Sequence, residues 1–369
     1  MKKTTPFFTF LISLICLVFS SFASATEHSG KGNNETHETQ HGPIDTPDKI
    51  NDYIKHHLQD AHDFTFFING STGNHIGFSL PVILVDNGLH VFSAAKFHDG
   101  EAVAESKGSF YKLHHGKIYK TNKEGVLRKH GEHPLNFKPL DLSITKSVFG
   151  MLLTGVLMLI FFGALAKSYK KGPIPTGLGR ALEPLVLYVR DEIARPNIGE
   201  SKYKKFMPFL LTVFFFIWIL NLLGLTPLGF NVTGNIAVTL CLALFTFFIV
   251  QFSANKEYWG HIFWMPGVPP LMKVILAPIE VLGMFTKPFS LTIRLFANIT
   301  AGHFVLMSLI ALMITMKAAF GPVASTGMSL LLSVFIMLIE LLVAFLQAFI
   351  FTMLSSLFIG MAVVEHDHH

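Results

Sequence analysis

Three ionisable side chains stand inside stretches that are otherwise apolar: Arg294, His303 and Glu340. On insertion scales a charged group at the centre of a bilayer-spanning helix costs about 2.5 kcal/mol or more, so each is a functional candidate by default. Their chemistry is complementary. A guanidinium keeps its proton at any physiological pH, whereas imidazole titrates near neutrality and a neighbouring carboxylate can tune it. A fixed cation beside two proton-handling groups has the make-up of an ion path, with H+ as the ion. Snorkelling is the plainer explanation for any one of them. It fails for Glu340, which lies about 14 residues from the nearest polar boundary on either side, too far for a short side chain. A static buried ion pair that only fixes helix packing is the other plain reading. Asn298 and Gln347 argue against it. Asn298 follows Arg294 by four residues and Gln347 follows Glu340 by seven, so each shares a helix face with its charged neighbour. His303, nine residues after Arg294, falls on the opposite side of its helix and serves a different part of the path.

The elements that position these residues follow from composition. The chain has 369 residues, 51% of them hydrophobic and only 14% charged, with a mean hydropathy of +0.49. That is too apolar for an ordinary soluble domain, so lipid is the expected solvent. The net charge of +5 does not indicate nucleic acid, because the basic residues are spread through loops beside apolar runs instead of forming one face.

Residues 1–25 read as a cleaved export signal: Lys2 and Lys3, an apolar run from Phe7 to about Phe19, then Ala23-Ser24-Ala25. A first membrane anchor is the alternative. Cys16 leaves with that signal, and Cys241 sits in an apolar run, so no internal disulfide or cysteine metal site is expected. Residues 26–50, rich in Thr, Asn, Glu, His and Gly, read as a disordered polar tail. Residues 51–140 are mixed and globular, an extracytoplasmic domain in which Phe78 to Val85, the turn Asp86-Asn87-Gly88 and Leu89 to Phe92 make a hairpin. Thirteen of the 18 histidines lie between His28 and His133. They read as solvated surface groups, with metal binding or pH buffering as the alternative.

Residues 141–369 form the membrane domain. About 20 apolar residues cross a ~30 Å core, which places spans at about 147–166, 206–227, 234–253, 289–316 and 326–364. Asn221, Thr226-Pro227 and Asn231 to Gly234 divide the charge-free stretch 206–255 into an antiparallel pair. Pro266, Pro269, Pro270 and Pro278 make a straight spanning helix over 262–286 an unfavourable expectation. The segment 167–205 carries nine Lys and Arg residues while the loop near 228–233 carries none, so 167–205 faces the cytoplasm and the mature amino terminus faces out. The last two helices exceed what a perpendicular crossing needs, so they must tilt, bend or run partly in the membrane plane. The expected fold is thus an all-α polytopic membrane protein of about five crossing segments, two of them long and steeply tilted, plus a small extracytoplasmic amino-terminal domain with some β-structure.

The run Lys287-Pro288-Phe289-Ser290-Leu291-Thr292-Ile293-Arg294-Leu295-Phe296-Ala297-Asn298, followed by Ala301-Gly302-His303, resembles the signature of the a subunit of F-type ATP synthases. Leu346-Gln347-Ala348-Phe349-Ile350-Phe351 resembles that family's last helix, and Asn221 to Pro227 with Asn235 to Leu240 its earlier hairpin. The resemblance covers about 140–365. It implies that Arg294 is the essential arginine, that Asn298 and Gln347 are the polar residues near it, and that His303 and Glu340 are a proton-handling pair. Glu280, fourteen residues before Arg294, matches an acid attributed to the cytoplasmic-side channel. The family's fold makes the two long helices a near-horizontal pair curved around a rotor ring.

The implied partners are c-ring subunits that carry the ion-binding carboxylate, b subunits of the peripheral stalk, the F1 sector indirectly, and membrane lipid; no nucleic acid and no cofactor are expected. The implied location is a bacterial inner membrane, with the mature amino terminus periplasmic and the carboxyl terminus cytoplasmic. ATP chemistry belongs elsewhere, since no G-x-x-x-x-G-K-[ST] loop is present. His56-His57-Leu58 resembles the segment that in the family lies just before the first span, whereas here about 80 residues intervene. A secondary cation/proton antiporter is the alternative, but it should show inverted repeats, which are not found. An intramembrane metal hydrolase would need more ligands than one His and one Glu.

Overall fold

Thr145 ends an extended stretch and caps the first long helix, its side chain accepting from the Val148 amide. A second acceptor for the free amides of this helix start comes from Asp60, whose Oδ1 lies 3.1 Å from the Ser147 nitrogen. A carboxylate here also meets the positive end of the helix dipole. The computed structural model describes residues 60–68, 75–100, 102–114, 116–130, 133–170, 172, 174–226, 230–265, 267–315 and 317–363. The expected export signal and polar tail, residues 1–50, lie outside the described residues.

Helix α1 (Lys146–Tyr169) is followed by α2 (Leu178–Tyr188), a π-helical segment at Val189–Ala194, and the short α3 (Arg195–Ile198). Then come α4 (Tyr203–Gly224), α5 (Ile236–Ser253), α6 (Lys256–Phe263), α7 (Pro270–Thr315) and α8 (Lys317–Val363). Among the described residues, five helical stretches are long and apolar enough to cross a membrane: Lys146–Tyr169, Tyr203–Gly224, Ile236–Ser253, Pro270–Gly302 and Val323–Val363.

α7 differs from the sequence expectation. It begins at Pro270, not near residue 289, and runs through Pro278 and Pro288 as one helix of 46 residues. An interior proline removes one ladder hydrogen bond, but inside a helical bundle neighbouring groups compensate for the loss. One turn after Pro288 the buried Thr292 hydroxyl donates to the Pro288 carbonyl at 2.9 Å, a contact within the helix that leaves the Met284 carbonyl without its usual amide donor. The break expected at Gly321-Pro322 is present: Gly321 has φ 80° and ψ 165° in an otherwise helical run. Asn221, read from sequence as a break in an apolar run, is instead buried within α4.

The carboxyl-terminal end of α8 is tied down. Its orphan carbonyls receive the Asn255 side chain and the Lys202 ammonium at Val363, and the Asn255 backbone amide at Ala362. Farther back, the Ser356 hydroxyl donates to Ile193 O in the π-helical segment. Gly360 sits so close to the Asn197 carbonyl that a Cβ there has no room. These contacts set the position of the helix that carries Glu340 and Gln347.

The amino-terminal domain consists of β1 (Asp63–Ile68), β2 (His75–Ser79), β3 (Pro81–Val85), β4 (Leu89–Ser93), β5 (Val103–Ser106), β6 (Ser109–His114), β7 (Lys117–Thr121), β8 (Lys129–His130), β9 (His133–Pro134) and β10 (Leu140–Asp141). β3 and β4 form the expected hairpin with Asn87 and Gly88 both at positive φ in its turn, but its first strand starts at Pro81, because Phe78 and Ser79 belong to β2 and pair with β1. Three-stranded sheets β10-β3-β4 and β5-β6-β7 enclose a core that includes Val82, Leu84, Phe97, Tyr111 and Ile118. Phe64 reaches out of this domain to Phe149 of α1 and to Phe230 in the α4–α5 connection. The two parts of the chain therefore share an apolar contact.

Within that core Asp86 accepts from the Tyr111 hydroxyl at 3.1 Å and pairs with the Lys120 ammonium at 2.6 Å. The Lys120 hydrogen bond holds the Asp86 carboxyl below the usual carboxylate range. Its stabilising effect is therefore full above the unfolded-state pKa near 3.9 and is lost as pH falls through the lower folded value. We expect Asp86→Asn to destabilise the domain by about 2 kcal/mol at pH 7, with the gap to wild type closing in acid. The urea dependence of proteolytic nicking within residues 60–141 of the full-length protein measures this.

Candidate functional site

α7 and α8 pack along each other, and the Ser329 hydroxyl of α8 donates to the Leu309 carbonyl of α7. Higher on this interface Glu340 of α8 is 9% exposed. Its carboxylate lies directly against the backbone of Gly302: a Cβ built on that glycine would be 2.7 Å from Glu340 Oε1. Only a residue without a side chain leaves this space free. Among the described residues neither oxygen of Glu340 has a hydrogen-bond donor. The next residue on α7 is His303, whose side chain lies outside the described set.

Polar groups from a third helix adjoin this point. The Asn221 amide of α4 donates to the Ala344 carbonyl of α8 at 3.4 Å and accepts from the Thr233 hydroxyl at 3.0 Å. Ala344 lies one turn after Glu340 and less than one turn before the buried Gln347. A carboxylate, two carboxamides and a hydroxyl thus share one region of an otherwise apolar bundle. Thr233 was missed from sequence because a threonine in a turn is ordinary. Asn221 carried a stronger signal, being an amide in a long charge-free run.

Arg294 is half-buried on α7 and, among the described residues, has neither an ion pair nor a hydrogen bond. Asn298, one turn on, is exposed. Unlike a static buried ion pair, a guanidinium with no counter-ion among the described residues is available to an anion from outside.

On the other side of Arg294 a few polar side chains stand in a largely apolar setting that includes Phe247, Val250, Leu291 and Phe358. A cleft between α5, α6, α7 and α8 is lined by Thr246, Gln251, Tyr258, Met284, Lys287 and Pro288, among others. Pro288 has no amide to give the Met284 carbonyl, so one backbone acceptor is freed from the helical ladder where the cleft meets α7. Burial raises the Tyr258 phenol above its usual pKa, and the negative charge of half-buried Glu280 adds to that effect. Along α7, Glu280 precedes Arg294 by about 21 Å and Gly302 follows it by about 12 Å at 1.5 Å per residue. The structure therefore brings Glu340 to the neighbour of His303 and keeps Glu280 in a separate group, with Arg294 between them.

Among the described residues no three His, Cys, Asp or Glu side chains converge as a metal site. One histidine pair in the sequence does have ligand spacing, His37-Glu38-Thr39-Gln40-His41, and it lies outside the described residues.

Residues 148–360 match the family model described as ATP synthase A chain, and residues 53–142 match one described as Domain of unknown function (DUF8433). The chain is 41% identical over 321 residues to ATP synthase subunit a of Chlorobium phaeobacteroides (strain BS1), covering 78% of this chain and 92% of the relative. Against ATP synthase subunit a of Pelodictyon phaeoclathratiforme (strain DSM 5477 / BU-1) the identity is 48% over 237 residues, 62% of this chain and 68% of the relative. ATP synthase subunit a 2 of Prosthecochloris aestuarii (strain DSM 271 / SK 413) is 42% identical over 305 residues, with coverages of 78% and 92%. A family match over more than half of the chain, relatives more than 40% identical over 78% of it, and five long apolar helices among the described residues make this a multi-pass membrane protein that belongs to the ATP synthase A chain family.

Proposed function

We propose that this chain is the proton-conducting stator of an ATP synthase membrane sector, with Arg294 separating two half-channels. The observation that carries this reading is the position of Arg294, without a counter-ion among the described residues, between the Glu340 region and the Glu280 region of one helix. Protons enter from the outer side through His303, Glu340, Asn298 and Gln347, and load a carboxylate on a subunit of the adjacent c-ring. Loading removes the charge and so permits that group to face lipid. The ring turns. On the far side of Arg294 the proton leaves by the cytoplasmic route near Glu280, and the bare carboxylate is drawn to the guanidinium.

Arginine suits the post because it does not release its proton, and so cannot relay one between the two routes. The driving force is about 2.3 kcal/mol per proton per 100 mV, plus any pH gradient. This chain contributes the path; b subunits hold it to the peripheral stalk, and ATP is made or hydrolysed in the F1 sector. The assembly sits in a bacterial inner membrane, with the β-domain in the periplasm and the end of α8 at the cytoplasmic side.

ATP added to inverted membrane vesicles is expected to acidify their interior at the same rate with and without added Na+. Acidification that requires Na+, or that is absent while the F1 sector hydrolyses ATP, would reject H+ as the transported ion.

A further inference from the structure

The two three-stranded sheets of the amino-terminal domain present different outer faces. On β5-β6-β7 the outward positions include Glu105, Lys112, Lys117 and Tyr119, as expected of an antiparallel sheet in water. On β10-β3-β4 the register aligns Leu140 with Val85 and Leu89 in one outward row. The next row holds Leu142, Ile83 and Val91, with Leu142 hydrogen-bonded to the Ile83 carbonyl. Leu140, Leu89 and Val91 are each more than half exposed. No charged residue occupies a position in these rows, and the Lys107 ammonium stands at their edge, donating to the Leu89 carbonyl at 2.7 Å. A third row, Pro81 beside Ile144 and Ser93, is joined by the Ile144 amide to the Pro81 carbonyl. Ile144 packs on the core of the membrane domain and directly precedes Thr145, the cap of α1. The apolar face is therefore continuous with the start of the first span.

We propose that this sheet face rests on the lipid bilayer at the amino-terminal end of α1, among the headgroups and upper acyl chains. An apolar patch of this extent on a water-soluble surface marks an interaction site. Its position selects lipid as the occupant, because the patch begins at the residue next to the cap of a bilayer-spanning helix. From the Ile144 row to the Leu140 row is about 14 Å along the strands, whereas the headgroup layer of one leaflet is only about 5–8 Å deep. The sheet must then incline along the surface instead of standing upright on it. The chain's own residues 26–50 are a poor occupant, being rich in Thr, Asn, Glu, His and Gly. Held in this way, the domain gives α1 a second attachment to the membrane beside its own span, and the charged β5-β6-β7 face remains in water.

The test uses the complete complex in nanodiscs of phosphatidylethanolamine and phosphatidylglycerol. Cysteines placed one at a time by Leu89→Cys, Val91→Cys and Tyr119→Cys, in a Cys16→Ser, Cys241→Ala background, carry an environment-sensitive fluorophore. Lipid with a doxyl group near the headgroup should quench the probes at 89 and 91 several-fold more than the probe at 119, and aqueous iodide should show the reverse order. Equal access of iodide to all three positions would overturn the proposal. So would shielding of 89 and 91 from both quenchers, which would assign the face to another subunit or a second copy. The unmodified chain gives an independent measurement: a phospholipid with a diazirine close to its headgroup should label peptides spanning 81–93 and 140–144 but not 103–121. Absence of label on 81–93 likewise overturns the proposal.

Discussion

Arg294→Ala is expected to reduce ATP-driven acidification of inverted vesicles to background while the complex still assembles. Two unit charges 4 Å apart at an effective dielectric constant of 20 attract by about 4 kcal/mol, and losing that from a rate-determining encounter slows it about a thousandfold. The half-burial of Arg294 and its lack of a partner within the described chain mean that little of its interaction energy is spent on holding this subunit together. The variant should therefore fold and pack as wild type, and the loss should appear in transport alone. Arg294→Lys should also fail in large part, because a desolvated ammonium can release its proton and lacks the planar fork that meets a carboxylate on two sides. Pumping retained by the alanine variant would remove Arg294 from the proposed mechanism and with it the proposed separation of two half-channels.

The second large effect concerns Glu340 and the glycine it touches. On the proposed path Glu340 accepts and donates the transported proton, and such a group contributes on the order of 100-fold or more, so Glu340→Gln, which keeps the shape but not the titration, should slow pumping by at least that factor. Gly302→Ala tests the same contact from the other side. Its methyl group would stand 2.7 Å from Oε1, closer than such atoms approach, and the flexible carboxylate would move away. A displacement near 1 Å at a reacting group can cost as much as 100-fold, so a fall between about 10- and 100-fold is expected. Both variants should retain normal subunit stoichiometry on a native gel. Wild-type pumping by Glu340→Gln would show that the proton passes by another group, and wild-type pumping by Gly302→Ala alone would show that the carboxylate's exact seat is not limiting.

Much of this was legible before any coordinates. Charge-free stretches long enough for the bilayer announce crossing helices because lipid cannot hydrate a charge, and the same argument makes Arg294, His303 and Glu340 conspicuous. The turn at Asp86-Asn87-Gly88 was readable because positive φ is a local demand with a local solution. The continuity of α7 through Pro278 and Pro288 was not, since proline's cost is read locally whereas a long helix in a bundle is held by packing along its length, here against α5 and α8. The same holds for Asn221, which the sequence presents as a break and the bundle uses as a link between α4 and α8.

The sequence by itself thus determined that the chain lives in lipid, how many apolar helices it forms, and which side chains are too costly there to be incidental. Only the tertiary structure decided that Glu340 meets Gly302 across 38 residues of chain, that Arg294 lies between the Glu340 region and the Glu280 region, and that the β-domain leans on α1 through Asp60 and Phe64. The physical reason is one of range. Partition between water and lipid is a property of each residue and its near neighbours, so local pattern carries it; contacts between helices depend on how whole surfaces fit, and no short stretch of sequence contains both sides of that fit.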